Sequence, residues 1–382
     1  MSVVALAVDA LLPALDIIGL SLGTAKPSDH KLLITMIFLG LGVGPMIFGP
    51  ISDSVGRKPV VYIGFITFFI GSFICVLAID IHWMVFGRII QGIGLSSPRT
   101  ISIAIIRDKF SGDYMARIMS FVTVVFLLIP IIAPATGKWI LDVYDWQHIF
   151  YIQIGIGLLV MLWFWRRQEE SLATTKRIPL TVAVFKNGFR EVLVQPTTMG
   201  YTAIAGFIVG SFLTYLSSAQ QIFQDQYELK EAFPYIFAAL AIALGLAILL
   251  NASLVLKYGM NRIVHLSLLG FFINASIYVL LFYNSSNPPL YILLTFLSIQ
   301  FFCIGFLFGN MRALAMQPVG HIAGIGAAIT GLFSTLMAVP ISTYIGDQIA
   351  DTALPLFLGF SICAGIGVIL LLLLLQHLKR IK

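Results

Sequence analysis

The chain has 382 residues, 59% of them hydrophobic and only 10% charged, with a mean hydropathy of +0.98 and a formal net charge of +6. Water-soluble domains usually carry about a quarter charged residues, so this composition excludes an ordinary globule and points to a membrane-embedded chain. Each bilayer-crossing helix needs about 20 mostly apolar residues, and twelve of them with short loops would consume nearly the whole length.

In chain order, apolar runs bounded by Gly, Pro and charge clusters predict spans at 2–22, 32–52, 59–79, 83–106, 117–140 and 146–166. Six more follow at 198–222, 232–256, 262–283, 290–315, 323–346 and 353–376. The first run contains Asp9 and Asp16, and no cleavable signal peptide is read in it. The one long polar connection, 167–197, ends in a mixed stretch from Leu180 to Val194 that reads as an amphipathic helix on the inner membrane surface. The expected division is therefore a six-helix bundle over 1–166, a cytoplasmic linker over 167–197 and a second bundle over 198–382. The expected fold class is an all-α membrane protein of twelve transmembrane helices in two pseudo-symmetric six-helix bundles.

Basic residues set the orientation. With the loop after span 2 in the cytoplasm, Arg57, Lys58, Arg107, Lys109, Arg166, Arg167, Lys257, Arg262 and Lys379 lie inside, while Lys26, Lys31, Lys138 and Lys230 lie outside. Both termini are then cytoplasmic. The positive excess reads as a topology signal and leaves nucleic acid out as a partner. Cys75, Cys303 and Cys363 sit in apolar runs without a CxxC pair or a His cluster, so no disulfide or metal site is expected. A weak repeat supports duplication: Gly56-Arg57-Lys58 after span 2 is answered by Gly259 and Arg262 after span 8.

Charges inside spans carry the chemistry, because a charge at the bilayer centre costs roughly 2.5–3.5 kcal/mol on insertion scales and must face the bundle interior or water. Asp9, near mid-depth, is the first candidate for taking up and releasing a proton, since a carboxylate in a dehydrated cavity titrates closer to neutral pH. Asp16 is expected on roughly the same face, nearer the outside. Arg88 and Arg99 share one face of span 4, with Gln91 one turn after Arg88. Arg88 is expected to act on the span-1 acid and Arg99 to be structural; Arg312 is a third cation within a span. In the loop 2–3 segment, Gly49 is expected to permit close helix approach and Gly56 a tight turn. Asp53 is expected to accept hydrogen bonds from a helix N-terminus, the start of span 11 near His321 to Gly324 being the candidate. Pro134 and Gly137, with Pro130, shape a bent span 5. Phe207, Phe212, Tyr215, Phe301 and Phe302, with Asp16 and Gln91, are candidate linings of an apolar, drug-sized substrate cavity.

These residues also resemble a known pattern. Gly49-x-x-x-Asp53-x-x-Gly56-Arg57-Lys58 is similar to the loop 2–3 signature of the major facilitator superfamily, and Arg88-x-x-Gln91-Gly92-x-Gly94 to its span-4 motif. Ala133-Pro134-x-x-Gly137 resembles the span-5 motif of its drug:proton antiporters. Asp9-x-x-Leu12-Pro13-Ala14-Leu15, Arg107-Asp108, Trp146-x-x-Ile149-Phe150 and Asn310 resemble the bicyclomycin-resistance branch. Departures are Leu11, Ser54 and Lys138, which stand where the motifs usually have Tyr, a basic residue and Gly. The resemblance implies alternating access between two bundles and multidrug efflux from the bacterial cell inner membrane. It implies transport driven by the proton gradient, with Asp9 and Arg88 as the proton-coupling pair; no cofactor is expected, and a monomer suffices for this architecture. Gly49, Asp53, Gly56, Arg57 and Lys58 would form a conformational latch. The expected function is thus a proton-coupled exporter of small amphipathic compounds. The alternative is an exporter of an endogenous metabolite or siderophore with incidental drug efflux. An enzyme would need a nucleophile–base pair or metal set within the spans, and none is found.

Overall fold

The computed structural model describes residues 2–24, 26–110, 112–177, 182–283 and 285–381. It is helical throughout, with short connections. Span 1 comprises α1 (Ser2–Asp9), a 3-10 turn (Leu12–Ala14) and α2 (Leu15–Ser21). The helices α3 (Pro27–Val55), α4 (Arg57–Val76), α5 (Ile81–Lys109), α6 (Gly112–Val143) and α7 (Gln147–Arg167) follow. After α8 (Val182–Val194) come α9 (Pro196–Gln220), α10 (Phe233–Tyr258), α11 (Met260–Phe282), α12 (Leu290–Met316), α13 (Ala323–Asp347) and α14 (Leu354–Ile381).

Eleven described segments are long and apolar enough to cross a membrane. The twelfth crossing is α6: its 32 residues make about 48 Å of helix, more than the ~30 Å hydrocarbon layer requires. Many α6 side chains, Arg117 and Met119 to Phe121 among them, lie outside the described residues. The surface is what a bilayer would solvate: Leu159 and Trp163 on α7, Leu256 on α10 and Leu280 on α11 are each more than 60% exposed. In water, apolar patches of that extent would drive association.

The chain divides into two compact units, Met1–Lys186 and Asn187–Lys382. Counted within each unit, the crossings pair in the same way: first with fourth, fifth and sixth, second with fourth, and third with fourth and sixth. The turn expected to be duplicated is duplicated in geometry too. Gly56 (φ +113) and Gly259 (φ +77) each form the one-residue joint between the second and third crossings of their unit, in a conformation that disfavours a side chain.

Small residues set how close the helices of the first unit come, because lipid gives helices no hydrophobic reason to associate and van der Waals fit decides. A Cβ on Gly92 of α5 would lie 2.1 Å from the Ile37 carbonyl of α3, and one on Gly40 of α3 2.2 Å from the Ile89 carbonyl of α5. A Cβ on Gly71 of α4 would lie 2.4 Å from the backbone nitrogen of Gln91. α5 is thus held backbone to backbone between α3 and α4. In the second unit α8 lies against α13, with Gly188 and Val192 buried, Phe189 packed on Phe333, and Lys186, Arg190 and Glu191 exposed.

Gly92→Val places two methyl groups against backbone that has no room to move. We expect a loss of about 1–3 kcal/mol, read as a fall of several degrees in the thermal unfolding midpoint of the detergent-purified protein. An unchanged midpoint would mean that α3 and α5 separate at little cost.

Candidate functional site

Span 1, expected as one continuous helix over 2–22, is broken in its middle. Pro13 has no N–H, so the carbonyl of Asp9, four residues earlier, has no helical donor. Leu11 donates instead to Val8 (3.4 Å), which frees the carbonyl of Ala7, and the chain passes through the 3-10 turn before α2 begins. Pro13 was the visible signal for this break. Asp9 ends α1 at 5% exposure, with Val8 and Leu12 buried beside it. Among the described residues it has no hydrogen-bond or ion-pair partner.

The span-5 motif closes onto this break. Pro134 and Gly137 of α6 are buried, and a Cβ on Gly137 would lie 2.0 Å from the Ala10 carbonyl and 3.1 Å from the Pro13 ring. Lys138 is half-buried beside it.

Arg88, expected to act on the span-1 acid by charge proximity, makes no ion pair with Asp9. It is fully buried and its guanidinium is held by neutral acceptors. Nε donates to the Leu33 carbonyl of α3 (2.8 Å), and Nη1 donates to the freed Ala7 carbonyl (3.1 Å) and to Gln91 Oε1. The broken helix therefore supplies one of the acceptors that satisfy the cation. Gln91 Nε2 in turn donates to Ser72 Oγ (2.9 Å) and to Gln153 Oε1 (3.2 Å), tying α4 and α7 into the network. Gln153, 1% exposed, gave no sequence signal beyond being a polar residue in an apolar run. Arg88 Nη2 has no acceptor among the described residues. Arg99 lies three turns further along α5, half-buried.

The loop 2–3 residues form a second cluster. Arg57, 4% exposed, donates through Nη1 to Asp53 and to Ser52 Oγ (2.8 Å), and through Nε to Asp108 Oδ2 (2.9 Å) at the end of α5. A carboxylate does sit on a helix N-terminus here, but it is Glu170 rather than Asp53. Its Oε1 and Oε2 accept the backbone N–H groups of Arg57 and Lys58, both at 3.0 Å, where the dipole of α4 favours an anion. Asp53 instead serves the guanidinium one turn away. Lys58 Nζ reaches the Trp165 carbonyl (3.2 Å). A Cβ on Gly56 would lie 2.6 Å from Glu170 Oε2, so this glycine serves both the turn and the approach. At Gly49 the expected close approach is not met: a Cβ there would have nothing within 4 Å. The side chains of His321 and Ala323 lie outside the described residues.

Asp16 is set apart from Asp9. It binds His30 Nδ1 (2.7 Å) at the start of α3, and His30 Nε2 lies 3.1 Å from the Thr24 carbonyl. Of the candidate cavity aromatics, Phe212 and Tyr215 of α9 meet Phe301 of α12, with ring centroids 5.7 and 4.6 Å apart. Phe308, not anticipated, joins Phe212 at 5.6 Å. Phe302 does not belong to this group: it is 38% exposed on another face of α12, against Phe306. Phe207 is half-buried one turn before Ser211, whose hydroxyl donates to its carbonyl.

The Major Facilitator Superfamily profile matches residues 1–342. The chain belongs to this superfamily. It is a multi-pass membrane transporter and not an enzyme. It is 31% identical over 366 residues to an uncharacterised MFS-type transporter, YdgK, of Bacillus subtilis, covering 94% of this chain and 89% of that one. It is 25% identical to the bicyclomycin resistance protein homolog of Haemophilus influenzae (95% and 90% covered). It is 24% identical to the multidrug resistance protein MdtL of Citrobacter koseri (98% and 94% covered). The fold matches that of the xylose transporter XylE from E. coli with a TM-score of 0.71 at 14% identity, over 98% of this chain and 95% of that one.

Glu170 lies in the loop after α7, outside the membrane-spanning helices. Partial burial pushes its pKa up, but the backbone N–H groups of Leu172, Arg57, Lys58 and Ser171 outweigh that and hold the carboxyl below the usual glutamate range. A carboxyl lowered in the folded state stabilises above its unfolded pKa, and that contribution is lost as pH falls through the folded value. Glu170→Gln is therefore expected to lower the unfolding midpoint at pH 7, and the difference from wild type should shrink only as pH falls below about 4. Equal midpoints at pH 7 would refute the capping role.

Proposed function

We propose that the chain is a proton-coupled exporter of small amphipathic compounds, exchanging inward-moving protons for outward-moving cargo by alternating access. It would work in the bacterial inner membrane as a monomer, with both termini cytoplasmic and the proton gradient as its energy source. The observation that carries this reading is Asp9: a buried carboxylate with no partner among the described residues, at the break of a membrane-spanning helix. An unpaired anion in such surroundings is costly, and there are two ways to relieve it: take up a proton, or become exposed to water. A transporter that alternates between those two conditions has coupled proton transfer to a conformational step.

The neighbours support this. Arg88 spends its N–H groups on neutral acceptors, so its charge is not cancelled by a permanent salt bridge. Its Nη1 holds the Ala7 carbonyl, two residues before the acid, so a movement of α1 and a change at the guanidinium are mechanically joined. Gly137 presses on the same break and lets α6 follow it. The bond set around Arg57, with Asp53, Asp108 and Glu170, would act as the latch: Gly56, Arg57 and Lys58 join α3 to α4 there, and reorienting those helices requires these bonds to rearrange. The drug-resistance names of two relatives agree with the substrate class.

The test is transport by purified protein in proteoliposomes with an imposed pH gradient. Asp9→Asn should insert and bind its compound yet lose gradient-driven transport by at least about tenfold, as expected when an essential proton carrier is removed. Full gradient-driven transport by Asp9→Asn would refute the assignment.

A further inference from the structure

The second unit contains one membrane-spanning cation that its fold leaves unused. Arg312 lies on α12, within the apolar segment Leu290–Gly320, and is exposed. Among the described residues it has no hydrogen bond, ion pair or ring partner. Arg57 and Arg88, by contrast, are buried and bonded. It stands four residues, or about 6 Å, before the end of α12 at Met316. Asn310, two residues earlier, bonds Asn251 of α10 (2.6 Å), and Asn251 precedes the end of α10 at Tyr258 by seven residues, or about 10 Å.

The helix face decides what Arg312 meets. At about 100° per residue, Phe301, Phe308 and Arg312 fall within roughly 40° of one another on α12. The two phenylalanines on that face pack on Phe212 of α9, with Tyr215 also against Phe301. The exposed Phe302, Gly309 and Ala313 lie on a different face. Arg312 therefore continues the aromatic face toward α9 and does not point where Phe302 points. A guanidinium with no partner among the described residues, one turn from a half-buried ring, is a fork for an oxyanion beside a platform for an apolar body.

We infer that the second unit recognises amphipathic organic anions, with Arg312 binding the carboxylate and Phe308 and Phe212 packing the ring system. This rests on the exporter reading above and names its substrate class: aromatic carboxylates of one or two rings, whose acid group and ring fit the spacing of one helical turn.

The test is equilibrium binding of 1-naphthoate and of its neutral analogue 1-naphthamide to the full-length protein in detergent. Wild type should bind the acid more tightly than the amide. R312Q should lose about tenfold to hundredfold in affinity for naphthoate, the range of a charge-assisted bond, and hold naphthamide within about twofold. R312K should keep part of the preference. F308L should weaken both compounds. The inference is overturned if wild type does not prefer the acid, or if R312Q binds naphthoate as wild type does. Should R312Q fail to purify, the wild-type preference and R312K decide. Binding at equilibrium needs no gradient. A protein that exports neutral amphiphiles under a pH gradient without preferring the acid would refute this inference alone. Asp9→Asn with undiminished gradient-driven transport would refute only the proton assignment.

Discussion

A charged side chain in a ~30 Å apolar layer must be bonded, hydrated or neutralised, and this constraint orders the whole molecule. The charges in and beside the spans differ in which solution they take. Arg57 takes carboxylates from Asp53 and Asp108. Arg88 takes carbonyl and amide oxygens from α1, α3 and its own helix. Asp16 takes His30 near the end of span 1. Asp9 and Arg312 are left without protein partners among the described residues, and these are the two positions to which we assign transport chemistry. What the fold does not satisfy, a proton or a substrate can.

The break in span 1 ties that constraint to backbone chemistry. A continuous helix would consume the carbonyls of Ala7 and Asp9. Pro13 and the turn before it release them, and one is then captured by Arg88. The same irregularity brings the Ala10 carbonyl against Gly137, at a distance only glycine tolerates. Non-helical backbone at membrane depth is acceptable because it is enclosed by other helices and its polar groups find partners there.

Much of this was legible in the sequence, and the part that was not has a physical cause. Hydropathy located every crossing because backbone satisfaction in lipid permits little besides a helix. Gly56 and Gly259 marked the repeated joint because a positive φ restricts residue type. The break is written in Pro13, but hydropathy averages over some twenty residues and a single proline barely changes the mean. The acceptors of Arg88 were not legible either: helical periodicity says which face a side chain occupies, not which acceptor wins, and the freed Ala7 carbonyl is one of those that bond the guanidinium. Glu170 could not have been found, because nothing local to it indicates the α4 N-terminus 113 residues earlier. Asp53 serves the Arg57 guanidinium, while the carboxylate on a helix dipole in this cluster is Glu170. Phe302 was grouped with Phe301 because adjacent residues look equivalent in sequence, yet 100° of rotation separates them on α12.

The two units share one pattern of helix pairing but not one distribution of charge. The first holds the buried acid, its guanidinium neighbour and the bonded loop cluster. The second holds a face of aromatic rings ending in a guanidinium that has no partner among the described residues. Duplication supplies two copies of a scaffold, and divergence of in-span residues gives each copy a different ligand to accommodate. On our reading the proton belongs to the first and the organic anion to the second. The two ligands would then not compete for a single carboxylate, as they must in a carrier whose cargo is a cation. Their coupling would have to pass through the conformational equilibrium both bias, with a strength set by how differently each binds the two states. A cargo anion leaving as a proton enters moves negative charge outward and positive charge inward. Export by this chain would therefore be driven by the membrane potential as well as by the pH gradient.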